Sequence, residues 1–174
     1  HFRHLFTFAQ YADKAQQRGR EFIRALNSEA PNVTILLSWA HKYYRNWQTK
    51  HPELSAADLS ASGHLLAPFL DGMMEAATPG TIFFDGDEQA YGVRDPAQFK
   101  LRRLHTRTAR RFSRVPAIYD RKMKVSFGLE LDRPYPVKGG FWPNKPDKNY
   151  WTPEQFAVAL AAALRQSDGY VWSW

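Results

Sequence analysis

TIFFDGDEQAYGVRDPAQF, residues 81–99, runs from an apolar stretch through a crowd of acids into the start of a helix. Residues 81–85 are too short and too rich in β-formers for a helix, so they predict a strand. Asp85, Asp87 and Glu88 follow within four positions. Carboxylates this close repel one another and resist losing water, so they are expected to be solvated at a pocket rim and available for proton transfer or sugar hydroxyls. Asp95 is suited to accept from free helix N–H groups, Pro96 has the φ of a first turn, and Gln98 completes a capping box. Strand, polar loop, capped helix is one βα unit.

The same unit recurs on both sides. Residues 8–27 place Phe8, Tyr11, Ala15, Phe22, Ile23 and Leu26 on one helical face, broken by Ala30, Pro31 and Asn32. VTILLSWA, 33–40, reads as a strand running into an aromatic polar loop, HKYYRNW, 41–47. Leu65, Leu66, Phe69, Leu70, Met73 and Met74 stripe a helix over 64–77, closed by Pro79 and Gly80. KVSFGLELD, 124–132, is a further strand. Thr152, Pro153 and Gln155 cap a last helix, with Trp151 placed to staple onto Phe156, and Asp168 and Gly169 stop it before YVWSW, 170–174.

A helix, then three strand–helix repeats, then a strand, argues for an α/β fold with parallel strands joined by helical crossovers. Four strands cannot close a barrel, and a (β/α)8 barrel takes about 250 residues. The chain of 174 residues is therefore expected to be a single α/β domain, 1–174, amounting to half of a TIM-type barrel. The competing small open sheet usually announces itself with a Gly-rich first turn, and there is no GxGxxG or P-loop.

Composition narrows the chemistry. There are no cysteines, which removes disulfides and thiolate chemistry and leaves the compartment open, a secreted or periplasmic one included. No apolar run of about 18 residues exists, so no membrane span is expected. The net charge of +7 is concentrated in 94–114, where eight basic residues face the single acid Asp95. Leu101, Leu104, Thr108 and Phe112 recur there at helical spacing, which puts the arginines on a solvated outer face and makes nucleic acid an unlikely partner.

Loops after strands carry chemistry in parallel α/β folds, and here they hold Trp39, His41, Tyr43, Tyr44 and Trp47; Asp85, Asp87, Glu88 and Tyr91; Glu130, Asp132, Tyr135, Phe141, Trp142, Asn144, Asp147 and Tyr150. Loops after helices are short and plain. Alternation puts Val125, Phe127, Leu129 and Leu131 toward the helices and Ser126, Gly128, Glu130 and Asp132 on the inner face. In the neighbouring strand Ile82 and Phe84 are expected to face the helices, with Phe83, Asp85 and Asp87 inward.

With its acids at strand ends and its ending SDGYVWSW, 167–174, the sequence resembles the C-terminal half of a (β/α)8 barrel of the glycoside-hydrolase kind, particularly poorly characterised bacterial barrel proteins with similar endings. The resemblance implies paired carboxylates at strand ends and a tryptophan platform on the last strand. Glu130 matches the nucleophile position, and Trp172 or Trp174 the platform. Such chemistry needs a proton donor and a second carboxylate. The assignment is Glu130 as nucleophile or base and Asp87 or Glu88 as donor. Trp39, His41, Tyr43, Tyr44, Trp47, Asp85, Tyr91, Asp132, Trp142, Trp172 and Trp174 are then expected to bind a polysaccharide or oligosaccharide, with no cofactor.

Two other classes compete with hydrolysis by carboxylates. One is a non-catalytic carbohydrate-binding half-barrel. The other is a metal-dependent hydrolase using Asp85, Asp87, Glu88 and His41, although no HExxH or complete calcium loop is present. A copper site at His1 lacks an assignable second histidine. Half a barrel exposes two strand edges, so the expected partner is a second copy in a homodimer or a missing N-terminal half-barrel.

Overall fold

A computed structural model describes residues 5–53, 65–133 and 142–173. The expectations placed on His1, Tyr135, Phe141 and Trp174, and on the side chain of Trp47, lie outside what is described. The chain is α/β, with four parallel strands in a curled half-barrel sheet: β1 Thr34–Leu37, β2 Ile82–Asp85, β3 Met123–Leu129 and β4 Tyr170–Ser173, side by side in that order. Phe83 lies level with Ile35 on one side and Met123 on the other, and Gly128 lies level with Trp172.

Six described helices accompany the sheet: α1 Phe8–Glu29, α2 Lys42–Lys50, α3 Leu66–Ala76, α4 Pro96–Thr108, α5 Pro116–Lys122 and α6 Pro153–Gln166. Two begin on capping boxes, Thr7 with Gln10 and Thr152 with Gln155, and Trp151 meets Phe156 edge to face at 5.7 Å as the staple requires. Asp95 caps α4 through the Ala97 N–H rather than by the expected box. The crossing of α1 over α3 depends on glycine. A Cβ at Gly19 would strike the Phe69 carbonyl and one at Gly72 the Gln16 carbonyl, so the two backbones touch. That contact brings Gly19 and Ile23 inward and leaves Phe22, expected in the core, largely exposed.

The core forms in two parts. Ile23, Leu70, Met74, Phe83, Tyr119 and Met123 pack beneath β1 and β2, and Phe99, Val125, Phe127, Leu129, Ala159 and Ala163 beneath β3. Each fully buried Leu, Ile or Phe in them contributes roughly 1.5–3 kcal/mol.

Three expectations are corrected. Residues 41–47 are not a loop: α2 occupies most of them, because Tyr44 at its inner face packs on Phe112 and accepts the Ala67 N–H. The faces of β2 are reversed. Phe83 and Asp85 share the helix side with Met123 and Val125, while Phe84 lies on the concave face against Tyr170 at 4.8 Å. The arginine segment is not one helix, although Arg94, Lys100, Arg110, Arg111 and Arg114 are exposed as expected. It divides into α4 and a 3-10 turn, Ala109–Phe112, with Leu101 and Leu104 51% and 55% exposed. Arg103 and Arg107 instead turn inward onto Asp168 at 2.7 and 2.5 Å, and Asp168 also accepts the Val125 N–H at 2.9 Å. Burial raises the Asp168 carboxyl, but that N–H and the two guanidinium groups outweigh it, leaving its pKa below the usual value.

Candidate functional site

The site lies where β2, β3 and β4 end. Beyond Lys124 the concave face of β3 carries only small residues, Ser126 and Gly128, so the rings of β4 reach over it to β2. Tyr170 covers Phe84, and Trp172 donates through Nε1 to the Gly86 carbonyl at 2.8 Å. Tyr91 lies against Trp172 edge to face, with ring centroids 5.5 Å apart. A Cβ on Gly128 would meet Tyr91 Cε1 at 2.7 Å and Trp172 Cζ2 at 2.8 Å. Gly128→Val is therefore expected to push Trp172 off Gly86 and to cost about 1–3 kcal/mol. The indole N–H resonance of Trp172 and the urea midpoint check this; an unmoved resonance would contradict it.

Two of the three expected catalytic acids act electrostatically on Tyr91. The charges of Glu88 and Glu130 both act on its hydroxyl. Burial first, then Glu88 and Glu130, push the phenol up to about 12. The Glu130 backbone is pinned by its N–H on the Tyr91 carbonyl at 3.4 Å and by Trp151 Nε1 on its own carbonyl at 2.8 Å. Its side chain pairs with Arg133 at 3.0 Å.

Asp87 is placed differently. Gly86 leaves β2 and Asp87 follows with φ 43° and ψ 62°, a left-handed conformation that Asp tolerates better than most residues and that costs of order 1–3 kcal/mol. The turn carries the Asp87 carboxylate away from the concave face to Lys42 Nζ at 2.6 Å and Arg102 at 3.0 and 3.2 Å. Asp87 is buried rather than solvated, because two cations enclose it. Asp85 is buried beside it, 3.9 Å from Lys42, and accepts the Asp87 N–H at 3.2 Å. Burial pushes the Asp85 carboxyl up; Lys42 opposes this and the Asp87 charge adds to it.

The aromatic residues divide in the same way. His41 is fully enclosed, joined through Nε2 to Asp71 at 2.9 Å and packed edge to face on Tyr119. Tyr44 is also closed to solvent, and burial pushes its hydroxyl up to about 12. Trp39 remains exposed, edge to face with Tyr43 at 5.1 Å, and Asp132 and Trp142 are exposed on the loop after β3, Lys145 lying over the Trp142 ring. The donors of the metal reading diverge: Asp85 and Asp87 face Lys42, Glu88 acts on Tyr91 and His41 pairs with Asp71, and among the described residues no three such side chains are grouped to hold an ion.

No protein-family model, curated protein or solved structure matches the chain. Among the described residues no helix is long and apolar enough to cross a membrane.

Sequence reading missed Lys42, Arg102, Arg133 and Asp71. Asp71 left a signal, being the lone acid inside the apolar run LLAPFLDGMM, 65–74, where an unpaired charge would be costly. The other three are basic residues among many, with nothing local to distinguish them.

Proposed function

We propose that the chain is a carbohydrate-active half-barrel of the (β/α)8 type, with Glu88 and Glu130 as its working carboxylates. One observation supports this above the rest: at the C-terminal ends of adjacent parallel strands Tyr91 packs on Trp172 and its carbonyl accepts the Glu130 N–H, while the charges of Glu88 and Glu130 both act on its hydroxyl. Glycoside hydrolysis needs one carboxyl to protonate the leaving oxygen and a second to attack or to activate water. Arg133 beside Glu130 suits the member that carries charge at the anomeric carbon. Glu88, on the loop after the neighbouring strand, is then the donor. Trp172 and Tyr91 offer flat apolar faces to a sugar ring, and Trp39 and Trp142 extend that surface outward. Asp87, held by Lys42 and Arg102, serves to shape the loop that presents Glu88 rather than as donor.

The two edge strands, and the exposure of Leu36 (46%) and Tyr170 (54%) on the concave face, support completion by a second half, from another copy or an N-terminal half-barrel. Light scattering of the chain would give a dimer if a second copy supplies it.

The test is a polysaccharide screen with wild type, Glu130→Gln and Glu88→Gln, reading binding and reducing-end release in parallel. Both variants are expected to keep binding and to lose release by about 10²–10⁴-fold. Equal residual activity removes Glu130 from the mechanism. Binding without release by the wild type supports the non-catalytic half-barrel.

A further inference from the structure

Between α2 and α4, outside the sheet, lies a cleft of about 330 Å³ lined by Arg45, Asn46, Lys50, Gln89, Arg102 and His105 among others. Three of its lining residues are cations and none is acidic. Arg102 is met by Asp87, which Lys42 already shares. Among the described residues Arg45 and Lys50 make no ion pair with a carboxylate. Burial, then the charge of Arg111, lowers the Arg45 guanidinium. Burial, then Arg45, Lys42 and Arg102, pulls the His105 imidazole down to about 4, with Asp87 opposing. Arg45 and Lys50, neighbours in the cleft with no carboxylate partner among the described residues, leave an anion favourable between them.

The cleft adjoins the proposed site: Asn46 and Gln89, hydrogen-bonded to each other, line both the cleft and a small neighbouring pocket that Glu88 also lines. Its volume is at the lower end of the range for small-ligand pockets and exceeds what a bare oxyanion fills. Its amides and the Thr49 hydroxyl can meet neutral hydroxyls, and arginines are suited to bidentate capture of a carboxylate or sulfate.

We infer that this cleft receives the anionic group of a saccharide, a uronate carboxylate or a sulfate ester, while the sugar chain runs on to Glu88 and Glu130. The inference rests on the carbohydrate reading and names its substrate class. The experiment is titration calorimetry of the whole chain with trimers of galacturonate, mannuronate and glucuronate and a sulfated galactan trimer, each beside its methyl-esterified or desulfated counterpart, and with sodium sulfate alone. Wild type is expected to bind at least one acidic trimer about tenfold more tightly than its neutral counterpart, and Arg45→Gln and Lys50→Gln each to lose about tenfold for the acidic form only. The His105 ring, followed by NMR, is expected to titrate above about 4 once that trimer is bound. Circular dichroism confirms that both variants fold, and either one alone suffices for the comparison.

Equal binding of acidic and neutral trimers overturns the inference and leaves the carbohydrate reading standing. Sulfate binding with no saccharide binding also overturns it. If neither these trimers nor the wider polysaccharide screen shows binding, the carbohydrate reading itself falls.

Discussion

Asp87→Ala is expected to lower the unfolding free energy by about 3–5 kcal/mol, as removal of one partner from a buried ion network does. The Asp87 carboxylate lies 2.6 Å from Lys42 Nζ and 3.0 Å from Arg102, all within the wall between α2, α4 and the β2 loop. Without it, Lys42 keeps only Asp85, at 3.9 Å, and burial biases that carboxyl toward its neutral form. Lys42 would then be a buried cation with a poor partner. The left-handed φ of 43° adds to the loss, since alanine tolerates it less well than aspartate by about 1 kcal/mol. Asp87→Asn separates the terms: it retains the backbone preference and loses the charge. Urea midpoints measure both. If Asp87→Ala cost less than about 1 kcal/mol, water would be replacing the carboxylate and the network would not be dry. Glu88 sits next in the chain, so the same substitution is expected to displace it and weaken the proposed site.

The sequence disclosed strand positions better than strand faces, for a physical reason. β3 alternates because Ser126 and Gly128 must be small where Tyr170 and Trp172 cross above them, so its two faces could be told apart in advance. In β2, Ile82, Phe83 and Phe84 are all apolar because both faces are covered, by helices on one side and by Tyr170 on the other, and a doubly covered strand shows no alternation. A wrong choice of face there moved Asp85 and Asp87 from the helix layer to the mouth. Glu130, Tyr91 and Trp172 could be grouped because strand ends in a parallel sheet necessarily converge.

The arginines were the harder problem. A basic helix reads as a solvated face, yet the acceptors for Arg102, Arg103 and Arg107 are Asp87, which is 15 residues away, and Asp168, which is 65 and 61 residues away. No local pattern reports such pairs. The local clue is Asp71, which stands among apolar residues with no basic residue within four positions.

Asp71→Ala is expected to be as damaging, about 3–5 kcal/mol, because one carboxylate serves three donors: His41 Nε2 at 2.9 Å, the Ser113 hydroxyl at 2.6 Å and the Arg114 N–H at 2.8 Å. A buried donor left unmet costs ~1–3 kcal/mol. His41 is fully enclosed and has no alternative, whereas Ser113, only partly buried, can turn to water. Asp71→Asn is expected to cost about half as much, since its carbonyl still accepts while its NH₂ group faces a donor. The loss also has a direction. His41 stands immediately before Lys42, so the clasp on Asp71 fixes the start of α2 and with it the approach of Lys42 to Asp87 and of Arg45 to the basic cleft. Once that start is loosened, less remains for Asp87 to hold. Asp71→Ala combined with Asp87→Ala should therefore cost less than their sum by more than about 0.5 kcal/mol, the coupling expected of one connected network. Strict additivity in a double-mutant cycle would show two independent anchors, with α2 positioned by Tyr44 packing on Phe112 instead.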